Sequence, residues 1–145
     1  MSKSNAFETA LLGLLFENTA MTNVGDAGGL RATTTAGSLY FSLHTADPGE
    51  AGDQTTSEVT YTSYARVAVA RSSVGFTVSG NAVAVDSDVV FPAGTGGSGT
   101  ATHWGLGTLT SGTGVLLYKG AISPNIVCGN GVTPRLTAGT VVTED

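Results

Sequence analysis

The sequence predicts a mainly β chain folded as a sandwich, barrel or jelly roll, and three observations predict it. Apolar residues alternate with a period of two from Ser38 onward. Turn signals recur at short intervals through the same stretch. Helical periodicity is confined to the N-terminal segment, so strands and helices do not alternate as a parallel α/β sheet requires. The 145 residues fit a single domain, 1–145. A chain of this length buries roughly 68–70% of its unfolded surface, enough for a core without staples.

The elements follow in order. Residues 4–19, within an N-terminal segment 1–20, read as a helix. Asn5 is its expected cap, with Glu8 three residues on as capping partner. Phe7, Leu11, Leu14 and Leu15 fall on the i, i+4, i+7, i+8 spacing of one face, and Leu12 and Phe16 widen it. A helix apolar over so much of its circumference requires burial on more than one side. It either plugs its own β-domain or docks onto another subunit, which makes Phe7, Leu11, Leu12, Leu15 and Phe16 the interface candidates. Residues 21–37 are rich in Thr, Ala and Gly and are expected to form an extended arm or loop; long loops of this kind are usually functional or disordered.

The β-domain is expected over 38–143. Leu39, Phe41 and Leu43 alternate with Tyr40 and Ser42, the pattern of a half-buried strand. Val67 and Val69, Phe76 and Val78, and Val83 and Val85 repeat it. Further strands are expected at 88–92, 101–108, 114–121 and 134–142, giving about eight in all. Between them lie Asp47-Pro48-Gly49, Ser79-Gly80-Asn81, the run from Gly94 to Gly99, Ser111-Gly112 and Gly129-Asn130-Gly131, all turn formers.

Composition narrows the partners. Charged residues are 12% of the chain, against about 25% in average soluble domains. Together with a mean hydropathy of +0.18, this implies a surface of Ser, Thr, Gly and Ala that is cheap to desolvate and suits packing against neighbours. The net charge is -5, and Lys3, Arg31, Arg66, Arg71, Lys119 and Arg135 are scattered. Without a basic stripe to displace counterions from phosphates, no nucleic-acid partner is expected. The longest apolar run, Leu11 to Phe16, is far short of the ~18–20 residues that span a bilayer, so no membrane partner is expected. No secretion signal is read at the N-terminus, which points to synthesis in a cytoplasm. Cys128, the only cysteine, excludes an intrachain disulfide and reads as a small hydrophobe.

The motifs assign no chemistry. Gly94, Gly96 and Gly99 satisfy G-x-G-x-x-G, but that motif works by leading into a helix N-terminus, and strand-like Thr100-Ala101-Thr102-His103-Trp104 follows here. Asp47, Glu50, Asp53 and Glu58 share one loop without EF-hand spacing and read as a solvated acidic loop. His44 and His103 lack the further ligands of a zinc site. No G-x-S-x-G elbow marks a nucleophile. Tyr40, Tyr61, Tyr64, Trp104 and Tyr118 suit a sugar-binding face in principle, but core and interface positions account for them as well. No catalytic, cofactor-binding or metal-binding residue is therefore assigned. Neither enzymatic activity nor a cofactor is expected.

Four stretches carry a resemblance. They are Ser38-Leu39-Tyr40-Phe41-Ser42-Leu43-His44-Thr45-Ala46-Asp47-Pro48-Gly49, Tyr64-Ala65-Arg66-Val67-Ala68-Val69, Phe91-Pro92 leading through glycines to His103-Trp104-Gly105-Leu106-Gly107, and Leu116-Leu117-Tyr118-Lys119-Gly120-Ala121. In this order they resemble a family of small virion proteins of tailed bacteriophages. Its members are often labelled tail fibre protein, and some look like capsid cement (decoration) proteins with a jelly-roll fold. The resemblance implies a jelly-roll-like antiparallel β-sandwich with one N-terminal α-helix and an extended arm. It also implies a virion location on the capsid exterior, contacts to the major capsid protein, and self-association as a homodimer or homotrimer. A cement protein is the role expected first. A tail or head fibre component that contacts the host is the alternative.

Overall fold

The computed structural model describes residues 2–22, 24–25, 28–139 and 141–144. Among the described residues the chain is mainly β with one helix, as its periodicity predicts, and its sheets are consistent with a β-sandwich. It divides into two compact units, each assembled from separated stretches of sequence.

The first unit comprises Met1–Ser38, Ala70–Asp88 and Thr137–Asp145. Helix α1 (Asn5–Phe16) is capped by Ser4 rather than Asn5. Ser4 holds the extended conformation a cap needs, and its Oγ accepts from the Phe7 amide at 3.4 Å. At the other end Glu17 and Thr19 both donate to the Gly13 carbonyl, and Asn18 turns left-handed with φ 55°. Helix ends leave carbonyls without intrahelical donors. Arg71 supplies donors here: Nε reaches the Leu15 oxygen and Nη2 the Leu14 oxygen, each at 2.7 Å. Its positive charge also suits the helix C-terminus.

Helix α1 packs on a three-stranded sheet of order β3-β4-β9, formed by Phe76–Ser79, Ala82–Val85 and Val141–Thr143. Phe16 meets Phe76 edge-on, with ring centroids 5.0 Å apart. The Glu17 carboxylate accepts from the Val78 amide at 3.0 Å, tying the end of the helix to β3.

The stretch expected as an extended arm or loop is, in its described part, a loop that closes on itself. The Asn18 side chain donates to the Thr33 carbonyl and accepts from the Thr33 amide, both at 2.9 Å. Met21 and Leu30 exchange two backbone hydrogen bonds of 2.9 Å. Residues 23, 26 and 27 of this stretch lie outside the described residues.

The second unit comprises Leu39–Val69 and Val89–Leu136. Its main sheet has the order β2-β1-β6-β7, from Val67–Ala70, Ser38–His44, Ser98–Gly107 and Leu116–Gly129. Strand β1 runs antiparallel to β6, which places Ser42 opposite Gly105 and His44 opposite His103. Strand β7 is antiparallel to β6, with Trp104 opposite Gly120 and Gly105 opposite Lys119. Strands β5 (Val89–Val90) and β8 (Arg135–Leu136) pair as a short ribbon.

Glycine inside these strands makes room. A Cβ on Gly105 would stand 2.6 Å from His44 Nε2, and one on Gly120 would stand 2.6 Å from the Trp104 indole. Both β6 and β7 extend further than the alternation predicts, and the run from Gly94 to Gly99 leads into β6 rather than into a helix.

Candidate functional site: a braced loop on the polar face of the sheet

One face of β1 carries Tyr40, Ser42 and His44, because side chains alternate along a strand. The loop from Thr45 to Ser57 folds back over this face, closed by hydrogen bonds from the Thr45 amide to the Ser57 carbonyl (2.7 Å) and from the Val59 amide to the Leu43 carbonyl (2.9 Å). The carboxylates of the loop, Asp47, Glu50 and Asp53, and Glu58 just after it, all have partners within the chain. Asp47 accepts from the Gly49 amide and from Lys119, whose Nζ lies 3.0 Å from Oδ1. Glu50 also faces Lys119, at 3.3 Å. Asp53 accepts from the Thr55 amide at 2.7 Å and from its hydroxyl at 2.6 Å. Glu58 turns inward. These hydrogen bonds hold the Asp47 and Asp53 carboxyls below their ordinary range. Among the described residues no group of three His, Cys, Asp or Glu side chains is placed to hold a metal ion.

The buried end of the loop forms a polar network. Arg66 meets Glu58 through two parallel bonds, Nε to Oε1 at 2.7 Å and Nη2 to Oε2 at 2.8 Å. Its remaining donors reach the Leu109 carbonyl (3.0 Å) and the Gly112 carbonyl (2.8 Å). The Arg66 side chain is only 3% exposed. Gln54, fully buried, donates to the Leu109 carbonyl and accepts from the Leu109 amide at 2.9 Å, and its own amide donates to the Thr113 carbonyl. The β6–β7 connection is thus fixed from beneath by two buried side chains, while Leu109 and Val115 stay 48% and 59% exposed. Tyr64 completes the network. Its hydroxyl donates to Glu58 at 2.8 Å and accepts from the Leu43 amide, and burial raises its pKa.

His44 lies beside this network. Its Nδ1 is 2.8 Å from the Thr56 carbonyl, which only accepts, so Nδ1 carries the proton. Nε2 then accepts from the Ser42 hydroxyl at 2.8 Å. That is the spacing of a nucleophile and its base, but both residues are fully buried. Burial lowers the His44 pKa from 6.5. Below about pH 6.5 the unfolded chain therefore gains a proton that the folded one resists, and stability falls as the pH drops toward the lowered folded value. Thermal midpoints measured from pH 7.5 to 5.5 should decline, and His44→Gln should flatten that decline.

The aromatic residues do not assemble an exposed platform. Tyr61 and Trp104 are buried, the Tyr61 hydroxyl donates to the Pro92 carbonyl at 2.8 Å, and Tyr64 stacks on Phe91. Burial pushes the Tyr61 pKa up to about 12. Of the interface candidates on α1, Leu12 and Phe16 are fully buried within the first unit, Leu11 and Leu15 are half-buried, and Phe7 is 43% exposed. An open cleft of about 270 Å³ lies between Gly49, Glu50 and Gly52 on the acidic loop and residues 116–119 of β7. Sequence reasoning missed the Arg66–Glu58 pair and Gln54. Glu58 and Arg66 stand eight residues apart among other charges, with no local spacing that pairs them.

A family profile, that of the podophage GP4 fiber I protein gp80, matches residues 2–144. The chain belongs to this family. Membership of the gp80 fibre family makes it a phage structural protein of the virion, as the resemblance implied. The family's description names a fibre rather than a capsid cement protein. No curated protein matches the chain. No helix among the described residues is long and apolar enough to cross a membrane.

Proposed function

We propose that the chain is a non-enzymatic fibre component of a podophage particle, working by self-association and by contact with other virion or host surfaces. The observation that carries this reading is the fibre-family match over nearly the whole chain. The geometry is compatible with it: the described polar clusters are internally paired, and the Ser42–His44 pair is sealed from solvent. What the second unit offers outward is a fixed loop carrying Leu109 and Val115. A rigid loop loses little conformational entropy on binding, which favours a recognition role.

The cement role on the capsid exterior, bridging major capsid protein subunits, is the rival reading. It draws on the low charge of the chain, since uncharged surface packs against neighbours at small desolvation cost. Its mechanism would be mass action, each bound copy favouring the assembled shell. Immunogold labelling of intact particles with antibody against the whole chain separates the two. Label on the tail or its fibres supports the fibre proposal, and label spread evenly over the head overturns it.

A further inference from the structure

The turn after β7 holds a reactive pair of residues in an unreactive geometry. Asn130 and Gly131 are both exposed, and theirs is the one Asn-Gly sequence in the chain. Glycine has no side chain to hinder its own nitrogen, so such a pair can close a cyclic imide by attack of the Gly131 nitrogen on Asn130 Cγ. The attack requires that nitrogen to lose its proton and to swing onto the side of the Asn130 Cβ. The fold opposes both. The Val132 amide donates to the Gly129 carbonyl at 3.1 Å, Gly131 holds φ 76°, and the φ of Asn130 is not positive. That combination is a type II turn. Tetrahedral geometry at Cα lets the nitrogen eclipse Cβ at a ψ of about -120°, whereas the second residue of a type II turn sits at about +120°. The Gly131 amide also donates to the Gly94 carbonyl at 2.8 Å, and the Gly94 amide donates to the Val132 carbonyl at 2.8 Å. The nucleophile is turned away and its proton is engaged.

We propose that Asn130 is a spontaneous deamidation site gated by this turn, silent while Gly94 clasps it and reactive whenever the clasp opens. The bond from the Gly131 nitrogen to Asn130 Cγ forms, the bond from Cγ to the side-chain nitrogen breaks, and ammonia leaves with the Gly131 proton. Water then opens the imide at Cγ to give aspartate, or at the backbone carbonyl to give isoaspartate. Each conversion consumes water, releases ammonia and adds one negative charge to the chain's net -5. Isoaspartate routes the backbone through Cβ and lengthens the turn by a methylene. Gly94 lies so close to the Gly129 carbonyl that even a Cβ there would collide with it, so the clasp has no room for the longer turn. Opening of the turn is thereby recorded irreversibly.

The test holds the full chain at neutral pH, native and unfolded in guanidinium chloride. The tryptic peptide of residues 120–135 is followed by mass spectrometry for acid in place of amide. Hydrogen exchange of the Gly131 amide is read by NMR on the native chain in the same buffer. The native chain should deamidate on the order of tenfold or more slower than the unfolded one, and the slowing should match the protection of the Gly131 amide, because one local opening exposes both. Asn130→Gln, whose longer side chain needs a larger ring, should all but stop the conversion in both states. Equal rates in the native and unfolded chains overturn the gate. Slow native deamidation beside a freely exchanging Gly131 amide overturns the clasp as its cause. An unfolded chain that does not convert, or conversion that persists in Asn130→Gln, overturns the site itself.

Discussion

Replacing Arg66 with alanine should destabilise the second unit by about 3–5 kcal/mol, the cost of removing one partner from a buried ion pair. The reason is specific to this site. The Arg66 side chain is 3% exposed and Glu58 15%, so the Glu58 carboxylate would stay in a poorly solvated place without its bidentate partner. Tyr64 would still donate to it at 2.8 Å, which offsets only part of the loss. The Gly112 carbonyl would lose its Arg66 donor at the same time and the Leu109 carbonyl would keep only the 3.3 Å bond from Gln54, loosening the β6–β7 connection. At roughly 2–4 °C per kcal/mol for a chain of this size, the thermal midpoint should drop on the order of 10 °C. Arg66→Lys should fall between, because an ammonium cannot form two parallel bonds to the carboxylate and also reach both carbonyls. Urea denaturation of the three proteins checks this. A loss below about 1 kcal/mol for Arg66→Ala would reduce the network to a surface-type ion pair.

Phe16→Ala should cost about 3–5 kcal/mol, as expected for a buried phenylalanine whose removal leaves a cavity. Phe16 is fully buried, and its ring meets Phe76 edge-on at 5.0 Å. Phe7→Ala, on the exposed side of the same helix, should change stability by only about 0.5 kcal/mol. Chemical denaturation followed by circular dichroism checks both. The contrast decides what α1 does: equal and small effects would mean that Phe16 is not a core residue, and that the helix holds its apolar surface for another subunit.

The strand pattern was largely legible because burial on a sheet follows a period of two. Leu39, Phe41 and Leu43 read as one face and are buried on one. Strand β7 was read short because Ser123, Pro124 and Asn125 break the alternation, yet they sit in a bulge that the ladder spans. The helix was legible from its apolar spacing, and its width left burial in its own domain and docking onto another subunit both open; Leu12 and Phe16 are buried within their own unit. Asn5 and Ser4 are both good caps, and sequence alone offered no means of choosing between neighbours. The described part of the 21–37 stretch closes through Asn18 and Thr33, a side-chain clasp across 15 residues that composition does not reveal.

The polar network was not legible. Glu58 and Arg66 are ordinary charges in a sequence; what makes them a pair is that the loop from Thr45 to Ser57 folds back over β1, a tertiary event. The glycines gave a partial signal. Gly105 and Gly107 alternate within β6, and side chains of the covering loop and of β1 occupy the space above them: Gln54 over Gly107, and His44 and Ser42 over Gly105. Two glycines spaced two apart inside a strand mark a face that something else must cover.

Copy number per virion tests the central claim most directly. Quantitative mass spectrometry of purified particles, with the major capsid protein as internal standard, should find a few copies to a few dozen of this chain, as a fibre component requires. Hundreds of copies in a simple ratio to the capsid protein would contradict the fibre proposal and favour cement, and absence from the particle would contradict both.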